Sequence, residues 1–370
     1  MDPLRHVKPA VRAIAAYTLA EREARVKIDQ NENPHDLPET LKRRVLERAL
    51  ARPWSRYPPF DPKELLEALA RASGWRADGI LAGNGSNEMI AALLVVTVGE
   101  GTPVVIPEPT FTLYALLTTV LGGRPVRVPL QREADGRFVY DAGALREARR
   151  QSQAPLTIVC SPNNPTGTSL PLAEIERLCD DADGLVVVDE AYHEFAGTSA
   201  VPLLERHANL VVLRTFSKAM ALAGLRVGYL LASPELVREV NKARLPYNVN
   251  VLSQMAAVAA LEEPRLLADG VEFLIEERKH LLRILANVPG VRALPSDANF
   301  FLLELVSADP KAVFDALLRR GVLVRDVTSY PQLSRCLRVS VGNKQENHLF
   351  MHALGAALTE AGALAERDRA

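Results

Sequence analysis

A single lysine with polar neighbours is the feature of this sequence with the clearest chemical potential. Lys218 follows an apolar run, with hydroxyls at Thr215 and Ser217 beside it, and Arg226 lies eight residues further on. An amine that attacks a carbonyl needs a lowered pKa and a partner that is held in place. Hydroxyls, backbone N–H groups and an arginine fork are the groups that hold an anion. The segment therefore predicts an amine nucleophile beside an anion site.

Two earlier segments carry groups that complement this lysine. Asp189 closes the apolar run Leu185–Val188, and an aspartate at the carboxyl end of a buried strand faces the crevice where open α/β sheets bind ligands. Tyr192 follows three residues later, and Asn164 begins an Asn-Pro-Thr-Gly turn. A lysine that carries pyridoxal phosphate needs such partners, because the ring nitrogen pairs with an acid and the ring oxygen accepts from phenol or amide donors.

A glycine-containing turn, Gly83-Asn-Gly85-Ser86-Asn87, joins an apolar run to a helical pattern. Free N–H groups and the helix dipole make such a turn an anion site. The same residues are also typical of an ordinary capped helix start, with Ser86 or Asn87 as the cap. The sequence does not separate these two interpretations.

Each candidate has a simpler explanation when it is taken alone. Lys218 matches a solvated surface residue, Asp189 a turn at a strand end, and the segment at Asn164 an ordinary turn. Phe111 matches a core aromatic, and Tyr57 an exposed turn residue. The functional interpretation depends on their occurrence together and in order.

That order and spacing resemble the pyridoxal-phosphate-dependent aminotransferases of fold type I (class II), and the resemblance runs from Tyr17 to Arg338. It implies that Lys218 carries pyridoxal 5′-phosphate, that Asp189 pairs with its ring nitrogen, and that both act with Tyr192 in catalysis. The remaining positions that match the family's cofactor-binding residues are Gly85, Ser86, Asn87, Phe111, Asn164, Thr215, Ser217 and Arg226, together with Tyr57. Relatives often have aspartate at the position of Asn87, so the charge there differs. The Tyr57 side chain is expected to reach the cofactor phosphate of a neighbouring subunit, which implies a homodimer.

Two arginines near the C-terminus indicate the substrate. Arg338 matches the family's carboxylate-binding arginine, and Arg325 lies at the end of a nearby predicted strand. Two converging arginines suit a phosphate better than one carboxylate, although Arg325 also matches a surface ion pair. With Tyr17 and Asn33 near the N-terminus, and with Asn164, they give a substrate-binding set similar to that of the histidinol-phosphate aminotransferases. The resemblance implies transamination between L-histidinol phosphate and 2-oxoglutarate, which gives imidazole-acetol phosphate and L-glutamate in histidine biosynthesis.

Three alternatives remain open. An aminotransferase for aromatic or branched amino acids would keep every cofactor residue. An enzyme similar to threonine-phosphate decarboxylase would also keep a phosphate-binding arginine pair. A ligand-sensing module without catalysis is the third, and it is disfavoured because the chain is expected to start directly with the N-terminal arm.

Composition limits the other classes of function. The chain has 370 residues, 48% of them hydrophobic, and a formal net charge of −1. It has no long basic block, so neither nucleic acid nor a membrane surface is expected as a main partner. Three scattered cysteines and no histidine cluster predict no metal site and a reducing compartment. No signal-peptide pattern and no long apolar run is found, so a cytoplasmic location is expected.

The chain alternates apolar runs with helical patterns. Seven runs, between Ile80 and Leu231, have the composition of strands that are buried on both faces. This predicts an α/β fold with a mostly parallel seven-stranded sheet flanked by helices, and the resemblance makes it fold type I. The predicted parts are an N-terminal arm (1–34), a large cofactor-binding domain (35–250), a small α+β C-terminal domain (251–360) and a tail (361–370). In the small domain, strands are expected at Phe300–Leu305, Val322–Arg325 and Leu337–Val341, before a closing helix at His348–Thr359.

Overall fold

Two β-sheets organise the protein, for which a computed structural model describes residues 2–16 and 21–367. Its strands are β1 (Val26–Lys27), β2 (Ile80–Gly83), β3 (Pro103–Glu108), β4 (Arg124–Pro129), β5 (Gln131–Arg132), β6 (Phe138–Val139), β7 (Leu156–Cys160), β8 (Leu185–Asp189), β9 (Leu210–Thr215), β10 (Gly228–Leu231), β11 (Val291–Ala293), β12 (Phe300–Leu305), β13 (Val322–Leu323), β14 (Arg325–Asp326) and β15 (Cys336–Ser340). Its α-helices are α1 (Pro9–Arg12), α2 (Glu39–Leu50), α3 (Lys63–Ser73), α4 (Ser86–Thr97), α5 (Leu113–Leu121), α6 (Ala142–Ser152), α7 (Leu172–Asp180), α8 (His193–Ala196), α9 (Pro234–Asn241), α10 (Val251–Leu261), α11 (Pro264–Leu285), α12 (Pro310–Arg319) and α13 (Lys344–Arg367).

The larger sheet has seven strands in the order β2-β10-β9-β8-β7-β3-β4. Strand β10 runs antiparallel to both of its neighbours, and the other pairings are parallel. The predicted mostly parallel seven-stranded sheet is therefore confirmed. The carboxyl ends of β2, β7, β8 and β9 lie along one edge, and that edge is where an open α/β sheet binds ligands.

Helices cover both faces of this sheet, because its strands are apolar on both sides. The buried side chains of α4, α5 and α9 form one core with the sheet. Those of α2, α3, α6, α7 and α10 form the other. The helix α4 begins at Ser86 directly after the turn that follows β2, so this turn lies at the same edge as the strand ends.

The second sheet has four antiparallel strands in the order β11-β12-β15-β14 and packs with α11, α12 and α13 around a separate core. The N-terminal segment joins this part of the molecule, because β1 pairs in parallel with β13. The Ile28 N–H also donates to the carbonyl of Leu323 over 2.9 Å. This pairing brings the residues that follow β1 towards the edge of the large sheet.

Two predicted elements differ from the structure. The single strand expected over Val322–Arg325 is divided, because β13 pairs with β1 whereas β14 pairs with β15. The closing helix is longer than predicted and continues to Arg367. Ala361, which was placed in the tail, is buried in the core of the small sheet.

Among the residues that the structure describes, no helix has the length and apolar character that a membrane span requires.

Candidate active site

A cavity of about 240 Å³ lies at the edge where the large sheet meets the small one. Twelve of the predicted site residues line it: Ser86, Asn87, Phe111, Asn164, Asp189, Tyr192, Thr215, Ser217, Lys218, Arg226, Arg325 and Arg338. The other lining residues, which the sequence did not single out, are Asp29, Gln30, Asn31, Tyr114, Cys160, Ala191 and Tyr330. Residues that are far apart in the sequence are thus brought into one site.

Asp189 is the buried acid at the base of this cavity. It ends β8 opposite Cys160 of β7. Its Oδ1 accepts from the Ala191 N–H over 3.0 Å, and its Oδ2 accepts from the Tyr114 hydroxyl over 2.6 Å. Burial raises the pKa of the carboxyl to about 6 against these two donors. A cationic partner would lower that pKa again, so the carboxylate suits a protonated ring nitrogen.

Lys218 lies in the cavity wall, three residues after the end of β9. Its Nζ donates to the carbonyl of Gln30 over 2.8 Å. Desolvation, followed by the nearby Arg338 guanidinium, lowers the pKa of the amine to about 7. A substantial fraction of the amine is therefore uncharged near neutral pH, as a nucleophile or general base requires.

The amino end of α4 forms one wall and has the character of an anion site. Gly85 precedes the helix with a φ of 80°, and an added Cβ there would lie 2.6 Å from Nη2 of Arg226. At Gly228 an added Cβ would lie 2.1 Å from the backbone nitrogen of Ser86. Because both glycines lack that atom, the guanidinium and β10 approach the helix end closely.

Hydroxyls complete the anion site. Arg226 has a φ of 53°, which is uncommon for a residue other than glycine. Its Nη1 donates to Oγ of Ser217 over 3.0 Å, and the hydroxyl of Thr215 lies 3.0 Å from the same oxygen. Helix N–H groups, a guanidinium and hydroxyls form the donor set that binds a phosphate. The residues present therefore fit the phosphate of the predicted cofactor.

The polar groups above Asp189 also converge on the cavity. The Tyr192 hydroxyl accepts from Nδ2 of Asn31 over 3.0 Å, and burial raises the pKa of this phenol above its usual value. Oδ1 of Asn164 accepts from Nη1 of Arg338 over 2.5 Å. Phe111 lies at the rim with its ring 5.6 Å from that of Tyr114 and at 87° to it.

The two predicted substrate arginines are neighbours. Arg325 of β14 lies directly opposite Arg338 of β15 in the antiparallel register, and both line the cavity. Nη2 of Arg338 donates to the backbone carbonyl of Asp29. The structure thus places two arginines on the small-sheet side of the cavity that Lys218 also lines.

Three predicted residues within the described part of the chain do not line this cavity. Gly85 lies directly before the lining residue Ser86, and an added Cβ there would meet the guanidinium of Arg226. Asn33 donates to the carbonyl of Ala219 over 3.1 Å and lines a different cavity. Tyr57 is 79% exposed and stacks on Tyr247, with 4.4 Å between ring centroids. Tyr17 lies outside the described residues.

Comparisons with known proteins agree with this geometry. The model of the aminotransferase class I and II family matches residues 24–354. Fold and site together define a pyridoxal-phosphate-dependent aminotransferase of fold type I, and the chain belongs to the aminotransferase class I and II family.

Several similar proteins are named as one particular enzyme of this family. The chain is 39% identical over 350 residues to histidinol-phosphate aminotransferase of Chlorobaculum tepidum, covering 94% of this chain and 99% of that protein. It is 38% identical to the enzyme of the same name from Chlorobium phaeovibrioides over 95% of this chain and 97% of the relative. The crystal structure of histidinol-phosphate aminotransferase from Sinorhizobium meliloti in complex with pyridoxal-5′-phosphate has a TM-score of 0.85 at 27% identity, covering 96% of this chain and 98% of that one.

Proposed function

We propose that this protein transfers the amino group of L-histidinol phosphate to 2-oxoglutarate, giving imidazole-acetol phosphate and L-glutamate. The observation that carries the proposal is the pair Arg325 and Arg338, side by side in the cavity that also holds Lys218. Paired guanidinium forks suit a doubly charged phosphate. The names of the relatives, which are those of histidinol-phosphate aminotransferases, support the same substrate.

Pyridoxal 5′-phosphate would occupy the sheet edge, with its aldehyde carbon on Lys218 and its ring nitrogen towards Asp189. When bound, it supplies an electron-accepting ring and a carbon that can carry the substrate's nitrogen. Phe111 would stack on the ring, and Tyr192 with Asn164 would donate to the ring oxygen. The phosphate would lie among the residues of the anion site, which are Gly85, Ser86, Asn87, Thr215, Ser217 and Arg226.

The protein's own groups then have distinct tasks. The amine of Lys218 would take the proton from the α-carbon of the substrate and later return it, and its pKa of about 7 suits both directions. Asp189 keeps the ring nitrogen protonated. Arg338 holds the phosphate of one substrate and a carboxylate of the other, whereas Arg325 serves the phosphate.

Replacing Arg325 tests this assignment. Arg325→Ala is expected to lower kcat/KM for histidinol phosphate about 10- to 100-fold, because a charge-assisted contact of roughly 1.5–3 kcal/mol is lost. The value for 2-oxoglutarate should change less than about threefold. The half-reactions with histidinol phosphate and with 2-oxoglutarate are measured separately. The unphosphorylated donor histidinol is measured as well, to compare a donor that lacks the phosphate. Arg292→Ala is the matched control, because Arg292 is an exposed arginine of β11 that does not line the cavity. An equal loss for both substrates would assign Arg325 a structural role.

Competing donors separate the alternatives. Purified enzyme is supplied with histidinol phosphate, phenylalanine and leucine together, and with threonine phosphate separately. Preference for phenylalanine or leucine would assign the enzyme to the aromatic or branched-chain group. Release of carbon dioxide from threonine phosphate would indicate a decarboxylase. A strong preference for histidinol phosphate supports the proposal.

We also propose a homodimer in which Tyr57 reaches the partner's cofactor phosphate. Tyr57 lies in an exposed aromatic patch with Tyr247 and Phe60, because the ring of Tyr247 contacts both of the others. Apolar patches of this kind mark interaction surfaces. None of these three residues lines the cavity of its own subunit, so the proposed phosphate contact is made to a second subunit.

Tyr57→Phe is expected to weaken cofactor binding about tenfold, because one hydrogen bond to a charged oxygen is lost. Equilibrium titration of cofactor-free protein with pyridoxal phosphate measures this. Tyr247→Phe, which removes a hydroxyl from the same patch, should leave the affinity unchanged. Sedimentation of the native protein should give a dimer. If the protein is a dimer and Tyr57→Phe binds the cofactor with unchanged affinity, the proposed phosphate contact is wrong but the dimer stands. If the protein is a fully active monomer, both the dimer and the contact are wrong.

A further inference from the structure

A buried tyrosine that neither the sequence motifs nor the proposed reaction uses contacts the acid of the active site. Tyr114 lies in the first turn of α5 and is fully buried. Its hydroxyl donates to Oδ2 of Asp189 over 2.6 Å, while Oδ1 accepts from a backbone N–H. The tyrosine belongs to the helix that begins just after Phe111, so one short segment carries both the predicted stacking ring and this donor.

The titratable side chains around the Asp189 carboxylate differ in how they contact it. They are Tyr114, Tyr140, Cys160, Glu190, Tyr192 and Lys218. Glu190 is directed away, towards the guanidinium of Arg214. Within residues 2–16 and 21–367 the carboxylate forms no ion pair, and the side chain that donates a hydrogen bond to it is the phenol of Tyr114.

We propose that Tyr114 is a positioning residue that keeps the shared proton on the cofactor's ring nitrogen rather than on Asp189. A carboxylate that already accepts a hydrogen bond is a weaker base. With Tyr114 donating to Oδ2, Asp189 competes less strongly for the proton that lies between it and the ring. The electron-accepting form of the ring is the protonated one, so the phenol acts on the reaction through Asp189 without touching the substrate.

The surroundings of the phenol support this role. Burial and the neighbouring Asp189 raise the pKa of Tyr114 well above its usual value, so the hydroxyl remains a neutral donor. The Oδ1 edge of Asp189 is fixed by Ala191 in the turn after β8. The carboxylate is therefore held at both oxygens, and its orientation is set before a cofactor arrives. A phenylalanine would fill the same space without providing the donor.

Tyr114→Phe tests the proposal, with Tyr140→Phe as the matched control. The Tyr140 hydroxyl donates to the backbone carbonyl of Cys160 rather than to Asp189. Each protein is loaded with pyridoxal phosphate labelled with ¹⁵N in the ring. At fixed pH the ring resonance of Tyr114→Phe should move from the pyridinium position towards that of neutral pyridine, and kcat should fall about tenfold. The control should resemble the native enzyme in both.

The cofactor-free proteins give a second readout. Carbon-13 spectra of labelled aspartate should show the Asp189 titration midpoint displaced upwards by about one to two pH units in Tyr114→Phe, and unchanged in Tyr140→Phe. An unchanged ring resonance together with an unchanged midpoint would show that Tyr114 only fills space, whatever its effect on turnover.

A third measurement uses the native protein, so it does not depend on whether Tyr114→Phe folds. In native cofactor-free protein labelled at the tyrosine ζ carbons, one buried resonance should follow the Asp189 titration near the pKa of about 6, and its step should be absent in Asp189→Asn. If no tyrosine resonance follows that titration, the proposal is overturned.

Discussion

A Lys218→Met variant is expected to lose amino transfer while its cofactor-free form becomes more stable. Methionine has a similar length and no amine, so it neither carries a carbonyl nor moves a proton. The loss in kcat should be at least about a thousandfold, at the upper end of what a positioned general base contributes. The absorbance of the lysine-bound cofactor should disappear as well. Near-normal turnover would contradict the role of Lys218.

The gain in stability follows from the pKa of the amine. In the folded cofactor-free protein the pKa of Lys218 is about 7, below its ordinary value of 10.5. The folded chain therefore binds the proton less tightly than the unfolded chain does. Below about pH 7 the amine is charged in both states, and burying that charge lowers the stability of the folded protein by the full amount. As the pH rises from 7 towards 10.5, this loss of stability disappears. The stability gain of Lys218→Met should be largest below pH 7 and should vanish near pH 10.5.

Thermal unfolding of cofactor-free protein across this pH range measures the effect. Lys242→Met is the control, because Lys242 is 69% exposed and pairs with Glu239 on the surface of the protein. The control should change neither turnover nor the pH dependence of stability. A lysine with a purely structural role at position 218 would give the opposite result, since its replacement would lower stability.

The sequence predicted the parts of this molecule that local chemistry determines. The seven strands of the large sheet are continuous apolar runs, and this pattern identifies strands buried on both faces. Asp189 could be assigned to the site because it ends such a strand, and open α/β sheets bind ligands at that edge. Thr215, Lys218 and Arg226 followed from their spacing within a single segment.

The residues that the sequence did not reveal depend on long-range packing. Asn31 contacts Tyr192 across 161 positions, and it reaches the cavity only because β1 pairs with β13. Asn33 was selected from the same segment, but it faces Ala219 instead. One signal for Tyr114 was present, since it lies three residues after Phe111 at the start of a helix. The direction of its hydroxyl, however, depends on how α5 packs on the large sheet, because its partner Asp189 lies 75 positions away.

Asp189→Asn is expected to lower kcat about 100- to 1,000-fold while the fold is retained, because the negative charge opposite the ring nitrogen is lost. The amide oxygen can still accept one hydrogen bond, so the packing around Tyr114 is kept. In the cofactor-free protein the pKa of Asp189 is about 6, above the ordinary value of 3.8. Above that pH the carboxyl is ionised in the folded protein, and burying this charge lowers the stability of the fold. The asparagine should relieve this cost and leave stability unchanged or higher at neutral pH.

The neighbouring acid provides a control with the opposite expectation. Glu190 is as deeply buried as Asp189, but it pairs with Arg214 at 3.0 Å and also accepts from Ser199. Glu190→Gln leaves a buried guanidinium without its counter-charge, and this should cost about 3–5 kcal/mol of stability. The kcat of the protein that remains folded should be nearly unchanged.

Measuring kcat and unfolding for both variants separates the two roles of these adjacent carboxylates. If Asp189→Asn loses stability as Glu190→Gln does and keeps its kcat, Asp189 is a structural acid, and the pairing with the ring nitrogen is wrong. If only Asp189→Asn loses kcat, the charge at the end of β8 acts on the reaction itself. The contrast arises from the direction of the two side chains, because consecutive residues at the end of an extended strand face opposite sides, and of these two residues Asp189 is the one that lines the cavity.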